Sequence, residues 1–297
     1  MTRAIITILC AILSFSVMGV VVRHLTADYP VLQISFIRNF FGFVPIIILL
    51  LWNRQMASLK TPFTAREWAI SMLRGTSVSL AQYCLFMAYS RLEFATTATL
   101  VFAGPFFVTA LSVPILGAVV GSWRWFAVCL GFAGVVMIMK PGASVFTPYA
   151  LLPVAAAFCY ALSSTLVKTF RSDHLSGLIQ FRAQLFAAGV SCVMWLSFAE
   201  ITPIASGVDL MLFITLGILG GFGVLGLVAA YRMSQPSLLA PFEYFGIPFS
   251  LCLGWWFFDE APLDRLFPGV IAIVAGGMLI IWRQSRRQRG EENQKQP

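Results

Sequence analysis

The sequence predicts an all-α integral membrane protein with ten transmembrane helices, arranged as two five-helix halves of inverted topology. Three observations lead there. Of the 297 residues, 59% are hydrophobic and only 11% charged, against about 45–50% and about 25% in a soluble domain. The apolar residues fall into ten runs long enough to be read as spans of about 20 residues. The order of landmark residues in the first five runs recurs in the last five.

Taken in order, the expected helices cover residues 4–22, 34–52, 68–90, 94–116, 123–139, 149–167, 175–198, 209–231, 236–258 and 264–282. Arg3 precedes the first run as it would in a signal peptide. That run is long and no A-x-A-like cleavage site follows it, so it is read as a span. The first half occupies residues 3–142, the second 147–283, and a basic tail 284–297.

Lysine and arginine set the orientation. With the N-terminus in the cytoplasm, Arg54, Lys60, Arg66, Arg124, Lys168, Arg232 and the tail all fall inside, and only Arg23, Arg91, Lys140 and Arg265 fall outside. Both termini are therefore expected to be cytoplasmic. Arg38 pairs with Arg182, Tyr89 with Tyr231, Pro105 with Pro248 and Gly134 with Gly277, in the same order and at nearly equal spacing. Five is an odd number of crossings, so a second copy must be inserted upside down.

Composition also excludes. The net charge of +8 comes from scattered basic residues and from the tail, not from a stripe that would bind nucleic acid; the tail suits anionic lipid. Cys10, Cys84, Cys129, Cys159, Cys192 and Cys252 lie inside apolar runs without a C-x-x-C pair, and read as small buried hydrophobes. With two histidines, His24 and His174, both beside span ends, no metal site and no cofactor is expected. No nucleophile elbow, H-E-x-x-H or phosphate-binding loop occurs, which argues against an enzyme and against a built-in ATPase.

The polar residues within spans are the candidate site. Glu243 is the sole carboxylate well inside a predicted span, and such groups mark ion or substrate pathways. It has two functional readings, proton coupling or a counter-charge for a substrate ammonium. The plainer one is a structural pairing with Arg38, Arg74 or a backbone group. Pro105 with Gly104, and Pro241 with Pro248, interrupt the fourth and ninth helices at corresponding positions, a pattern that points to a transport cavity. Ser14, Ser16, Gln82, Tyr83, Tyr160, Ser163, Ser164 and Tyr244 are expected to face that cavity. Arg38 and Arg182 are read as mirror-placed charges that either capture a substrate anion or fix helix tilt. Arg74, near a helix end, is expected to snorkel. Gly131, Gly134, Gly276 and Gly277 are expected to permit close helix packing.

Residues 73–142, which include "LRGTSVSLAQYCLFMAYSRLEFATTATLVFAGPFF" and close on "GFAGVVMIMKPG", resemble an EamA domain of the drug/metabolite transporter superfamily. The second half carries the same hallmarks in "LLAPFEYFGIPFSLCLGWWFFDEAPLDRLFPGVIAIVAGGMLIIWR". The resemblance implies two EamA repeats and alternating-access movement of small organic metabolites across the bacterial inner membrane. One departure stands out. The family often has glutamate after its fourth helix, where this chain reads Leu116-Gly117-Ala118; the second copy keeps the acid in Phe258-Asp259-Glu260. "APFEY" and "FFDEAP" are similar to a branch that includes S-adenosylmethionine, riboflavin and amino-acid-derived metabolite carriers. The expected function is a secondary carrier, without ATP, for an amino-acid-like compound, with export favoured and protons as candidate coupling ions. Uptake of S-adenosylmethionine or riboflavin is the alternative, and a lipid-translocating or structural subunit the rival of another class. Monomer and homodimer both stay open.

Overall fold

The computed structural model describes residues 2–139, 147–170, 175–233, 242–260, 263–279 and 282. Among these every regular element is helical. In chain order they are α1 (Thr2–Leu25), α2 (Val31–Phe41), α3 (Phe43–Trp52), α4 (Ala65–Arg91), α5 (Phe94–Val101), α6 (Gly104–Leu116), α7 (Ser122–Met139), α8 (Leu151–Leu166), α9 (Ser176–Phe198), α10 (Gly207–Met233), α11 (Gly246–Phe258), the single turn α12 (Leu263–Leu266), and α13 (Gly269–Leu279).

Among the described residues, six stretches are long and apolar enough to cross a membrane: Thr2–Leu25, Val31–Trp52, Phe94–Leu116, Pro148–Thr169, Gly177–Phe198 and Gly207–Ala230. Shorter apolar helices run over Trp125–Ile138, Gly246–Phe258 and Gly269–Leu279. The 27-residue α4, about 40 Å at 1.5 Å per residue, also has the length to cross. Its hydropathy is lowered by Glu67, Ser71, Arg74, Ser77, Ser79 and Gln82, all buried inside the protein. Polar atoms inside and apolar ones outside is the arrangement a lipid solvent demands. Trp52, Phe198 and Trp256 are exposed on the outer surface.

Two cysteine-level and helix-level expectations need correction. Cys10, Cys129 and Cys252 are exposed rather than buried, because a small apolar group costs nothing when it faces lipid. The segment read as one helix over 34–52 is two, α2 and α3, joined at Gly42. Pro45 has no N–H to donate to the Phe41 carbonyl four residues back, so the ladder is interrupted there. The break also brings backbone close to α9: an added Cβ at Gly42 would lie 2.9 Å from Gln184 Nε2.

Two further segments share one design. A two-residue turn at Phe102–Ala103 precedes α6, and another at Tyr244–Phe245 precedes α11. Both helices then run for 13 residues from a glycine. Pro105 withholds the N–H that the Val101 carbonyl would accept, and Pro248 does the same to Tyr244. Both helices end on a left-handed residue, Gly117 (φ 64°) and Asp259 (φ 53°). Beyond those caps, Ala118 N–H donates to Ser112 O and Glu260 N–H to Gly254 O, each six residues back. The left-handed residues donate four residues back, Gly117 N–H to Val113 O and Asp259 N–H to Trp255 O, so the same αL cap occurs twice.

Helix pairing is symmetric in the same sense. The most extensive pairings are α1 with α10 and α4 with α8; they are followed in kind by α4 with α9 and α2 with α10, then by α6 with α8 and α1 with α11. Exchanging the first five runs for the last five maps each pair onto its mate. Close approach helps hold the ends: an added Cβ at Gly134 would meet Gly269 O at 2.5 Å, and one at Gly276 would meet Ala127 O at 2.8 Å, so α7 and α13 touch backbone to backbone.

Candidate functional site

A cavity of about 480 Å³ lies between α1, α2, α4, α8, α9, α10 and the two broken segments. That is within the range of small-molecule sites. Its position follows from the helices. The α4 stripe Arg74, Val78, Gln82, Leu85, Tyr89 steps by four, four, three and four residues, one face of a helix. Toward the face where α1 begins, it is lined by Arg74, Ser163, Gln180, Gln184 and Leu227.

At the opposite face it is capped. Tyr89 stacks on Phe94 with ring centroids 5.2 Å apart, and Phe94 packs on Phe258 at 5.7 Å. Above these rings Arg23, on the last turn of α1, grips Glu260 beyond α11. Its Nη1 donates to Glu260 Oε2 at 2.9 Å, its Nη2 donates to Oε1, and the guanidinium lies 4.5 Å over the Phe258 ring. Glu260 Oε2 also accepts the Phe94 N–H at 2.8 Å, while Arg23 Nη1 donates to Leu92 O at 3.0 Å. One clasp therefore ties together the ends of α1 and α11 and the start of α5. At the matching cap of α6, Ala118 offers no carboxylate.

Of the residues singled out in the sequence, Ser16, Arg38, Gln82, Tyr160, Ser163, Ser164 and Glu243 line this cavity together. Pro105 and Pro248 do not line it, but the breaks they cause do, through Val101, Phe102, Glu243 and Gly246. The two breaks touch: Phe102 and Tyr244, the first residue of each turn, stack at 5.6 Å with 28° between ring planes.

The others lie elsewhere. Tyr83, next to Gln82, faces about 100° away on the helix and joins an apolar cluster. Tyr244 is buried beneath the cavity, its hydroxyl lodged where a Cβ on Gly277 would lie 1.3 Å away. Ser14 donates to Leu219 O at 2.9 Å and joins α1 to α10. Arg182 is not the mirror of Arg38 in surroundings. Its Nη2 donates to Thr61 O at 2.7 Å, and its guanidinium stacks over Phe63 at 3.9 Å and Trp68 at 4.4 Å.

Arg74 is the main correction. It is 5% exposed and lines the cavity instead of snorkelling. The reason is the start of α4: Thr64 caps the helix, its hydroxyl accepting the Glu67 N–H while Glu67 accepts the Thr64 N–H. The helix begins three residues before the expected position, which seats Arg74 deeper. Its Nε donates to Ser163 O at 3.0 Å and its Nη1 to Ile179 O at 3.4 Å.

Sequence reasoning also passed over Asn39. It is fully buried and exchanges amide hydrogen bonds with Gln82, Nδ2 to Oε1 at 2.8 Å and Nε2 to Oδ1 at 3.1 Å. Gln184 Nε2 donates to the Asn39 carbonyl at 2.7 Å, and Arg38 Nη1 to Asn39 Oδ1 at 3.1 Å. Arg38 itself is 7% exposed and fits only because Gly220 has no side chain: an added Cβ there would lie 2.6 Å from Nη2. Among the described residues no ion pair joins Glu243 to Arg38 or Arg74.

Helices long and apolar enough to cross a membrane surround a polar hollow with broken helices at its wall, the architecture of a multi-pass membrane protein. Residues 2–140, a little under half of the chain, match the EamA-like transporter family. Curated relatives span nearly its whole length. A riboflavin transporter of Rhizobium johnstonii is 25% identical, over 97% of this chain and 95% of its own. The pseudopaline exporter CntI of Pseudomonas aeruginosa is 27% identical over 90% and 89%. An S-adenosylmethionine uptake transporter of Rickettsia prowazekii is 27% identical over 94% and 92%. A crystal structure with 18% identity superposes with a TM-score of 0.66, covering 96% of this chain and 98% of its own, which shows a shared fold.

Proposed function

We propose that the chain is a secondary carrier of ten helices in two inverted halves, which moves an amino-acid-like or amino-acid-derived compound outward across the bacterial inner membrane. The observation that carries this reading is the meeting of two proline-broken segments at the wall of one cavity, beside the carboxylate of Glu243. Freed backbone at membrane depth is tolerated where it lines such a cavity. The paired caps and the exchange symmetry of helix contacts support two copies related by an in-plane axis.

Glu243 trades a proton with the cavity or meets the substrate's ammonium group, and the amides and hydroxyls of Gln82, Ser16 and Ser163 order the rest of the solute. Phe102 and Tyr160 give the cavity flat apolar walls. The test is counterflow of labelled solutes in proteoliposomes, wild type against Glu243→Gln, over pH 6–8. Exchange that Glu243→Gln abolishes, or makes independent of pH, supports the reading. Wild-type rates in a correctly inserted Glu243→Gln protein remove Glu243 from the mechanism. Vesicles that exchange no solute but scramble lipid remove the carrier.

A further inference from the structure

We infer that the cavity contains a dedicated oxyanion subsite, formed by Arg38 and Arg74, so that the cargo carries more acidic than basic groups. This rests on the carrier reading above and narrows its substrate class.

Among the described residues, three formal charges line the cavity: the guanidinium groups of Arg38 and Arg74 and the carboxylate of Glu243. Guanidinium keeps its proton in proteins, so the walls hold an excess of positive charge. Neither arginine has a carboxylate partner among the described residues. Both are at least nine-tenths buried, where an unpaired cation is costly.

The neutral contacts they make position them without satisfying them. Arg74 spends two of its five donors on the carbonyls of Ser163 and Ile179, which clamps it between α8 and α9. Arg38 spends one on Asn39, and its buried Nε has no partner. Asn39 is itself fixed by Gln82 and Gln184, so the Arg38 head is held from behind. Gly220 supplies the room for it. Two forks, each with donors to spare, suit the planar oxygens of a carboxylate or those of a phosphate.

Glu243 stands on the broken segment that precedes α11. It offers a place for one amine, leaving a net preference for solutes with surplus acid. Uncharged flat rings and cationic sulfonium compounds gain nothing from such a site.

The experiment uses the full chain in proteoliposomes and pairs of solutes that differ in one group. L-glutamate is competed against L-glutamine, and O-phosphoserine against L-glutamate; riboflavin and S-adenosylmethionine complete the panel. The expected result is that glutamate or phosphoserine inhibits counterflow at least about tenfold better than glutamine. The better of the two identifies carboxylate or phosphate as the natural group. Arg38→Gln and Arg74→Gln should erase that preference while leaving weak glutamine exchange. The wild-type comparison needs no variant, so a misfolded variant leaves the question decidable. Glutamine, riboflavin or S-adenosylmethionine favoured over both acids would overturn the subsite and leave the carrier standing. No solute exchanged by folded protein would overturn both.

Discussion

Replacing Glu260 by glutamine should open the protein at the face that is now closed. The carboxylate accepts two bonds from Arg23 and one from the Phe94 N–H. Hydrogen bonds to a charged group contribute about 1.5–3 kcal/mol each when buried. Here the two side chains are 21% and 20% exposed, and exposed ion pairs contribute only about 0.2–1 kcal/mol. An intermediate figure of about 2 kcal/mol for the whole clasp is appropriate. If these bonds exist only while that face is shut, their loss shifts the equilibrium about 30-fold toward opening there. Ala118 at the matching cap of α6 supplies no carboxylate to hold the other face in the same way, so nothing of this kind offsets the shift. The assay is alkylation of Ser16→Cys, in a chain with its six native cysteines replaced, by a membrane-impermeant maleimide added from each side. Wild type should label from the face where α1 begins, and Glu260→Gln should raise labelling from the opposite face. Unchanged labelling from that face would show that the aromatic layer alone closes it, and the reasoning about the clasp would be wrong.

Three other outcomes follow from the packing. Gly277→Ala puts a methyl group onto the Tyr244 hydroxyl; overpacking of this kind costs about 1–3 kcal/mol and should lower the melting temperature in detergent, whereas Gly104→Ala, with open space around it, should not. Asn39→Leu leaves the amide of Gln82 without its partner, while Gln184 keeps the backbone carbonyl of residue 39; the loss, about 1–3 kcal/mol, should weaken glutamate inhibition of counterflow because Arg38 also loses the Asn39 oxygen. Pro105→Ala restores the donor to the Val101 carbonyl and should slow exchange more than it changes thermal stability.

The six long apolar stretches among the described residues, the breaks near Pro105 and Pro248, and the cavity acid Glu243 could be read from the chain. Lipid offers backbone no hydrogen bonds and charges no hydration, so each long apolar run, each proline within one and each buried carboxylate carries meaning locally. Pro45 is equally legible, since it lacks the donor that one unbroken helix over 34–52 requires. The capping box at Thr64 and Glu67 was likewise a local signal, and it alone would have placed Arg74 deeper.

What the chain left open was rotation. Gln82 and Tyr83 are adjacent and both polar, and Arg38 and Arg182 hold matching places in the two halves, so residue type alone does not say which looks inward. Packing chose between them: the absent side chain of Gly220 admits Arg38 to the hollow, while Phe63 and Trp68 keep Arg182 outside it. Contacts between residues far apart in the chain decided the rest, Asn39 with Gln184 and Arg23 with Glu260. Such pairs depend on how whole helices settle against one another, and only the folded bundle fixes that.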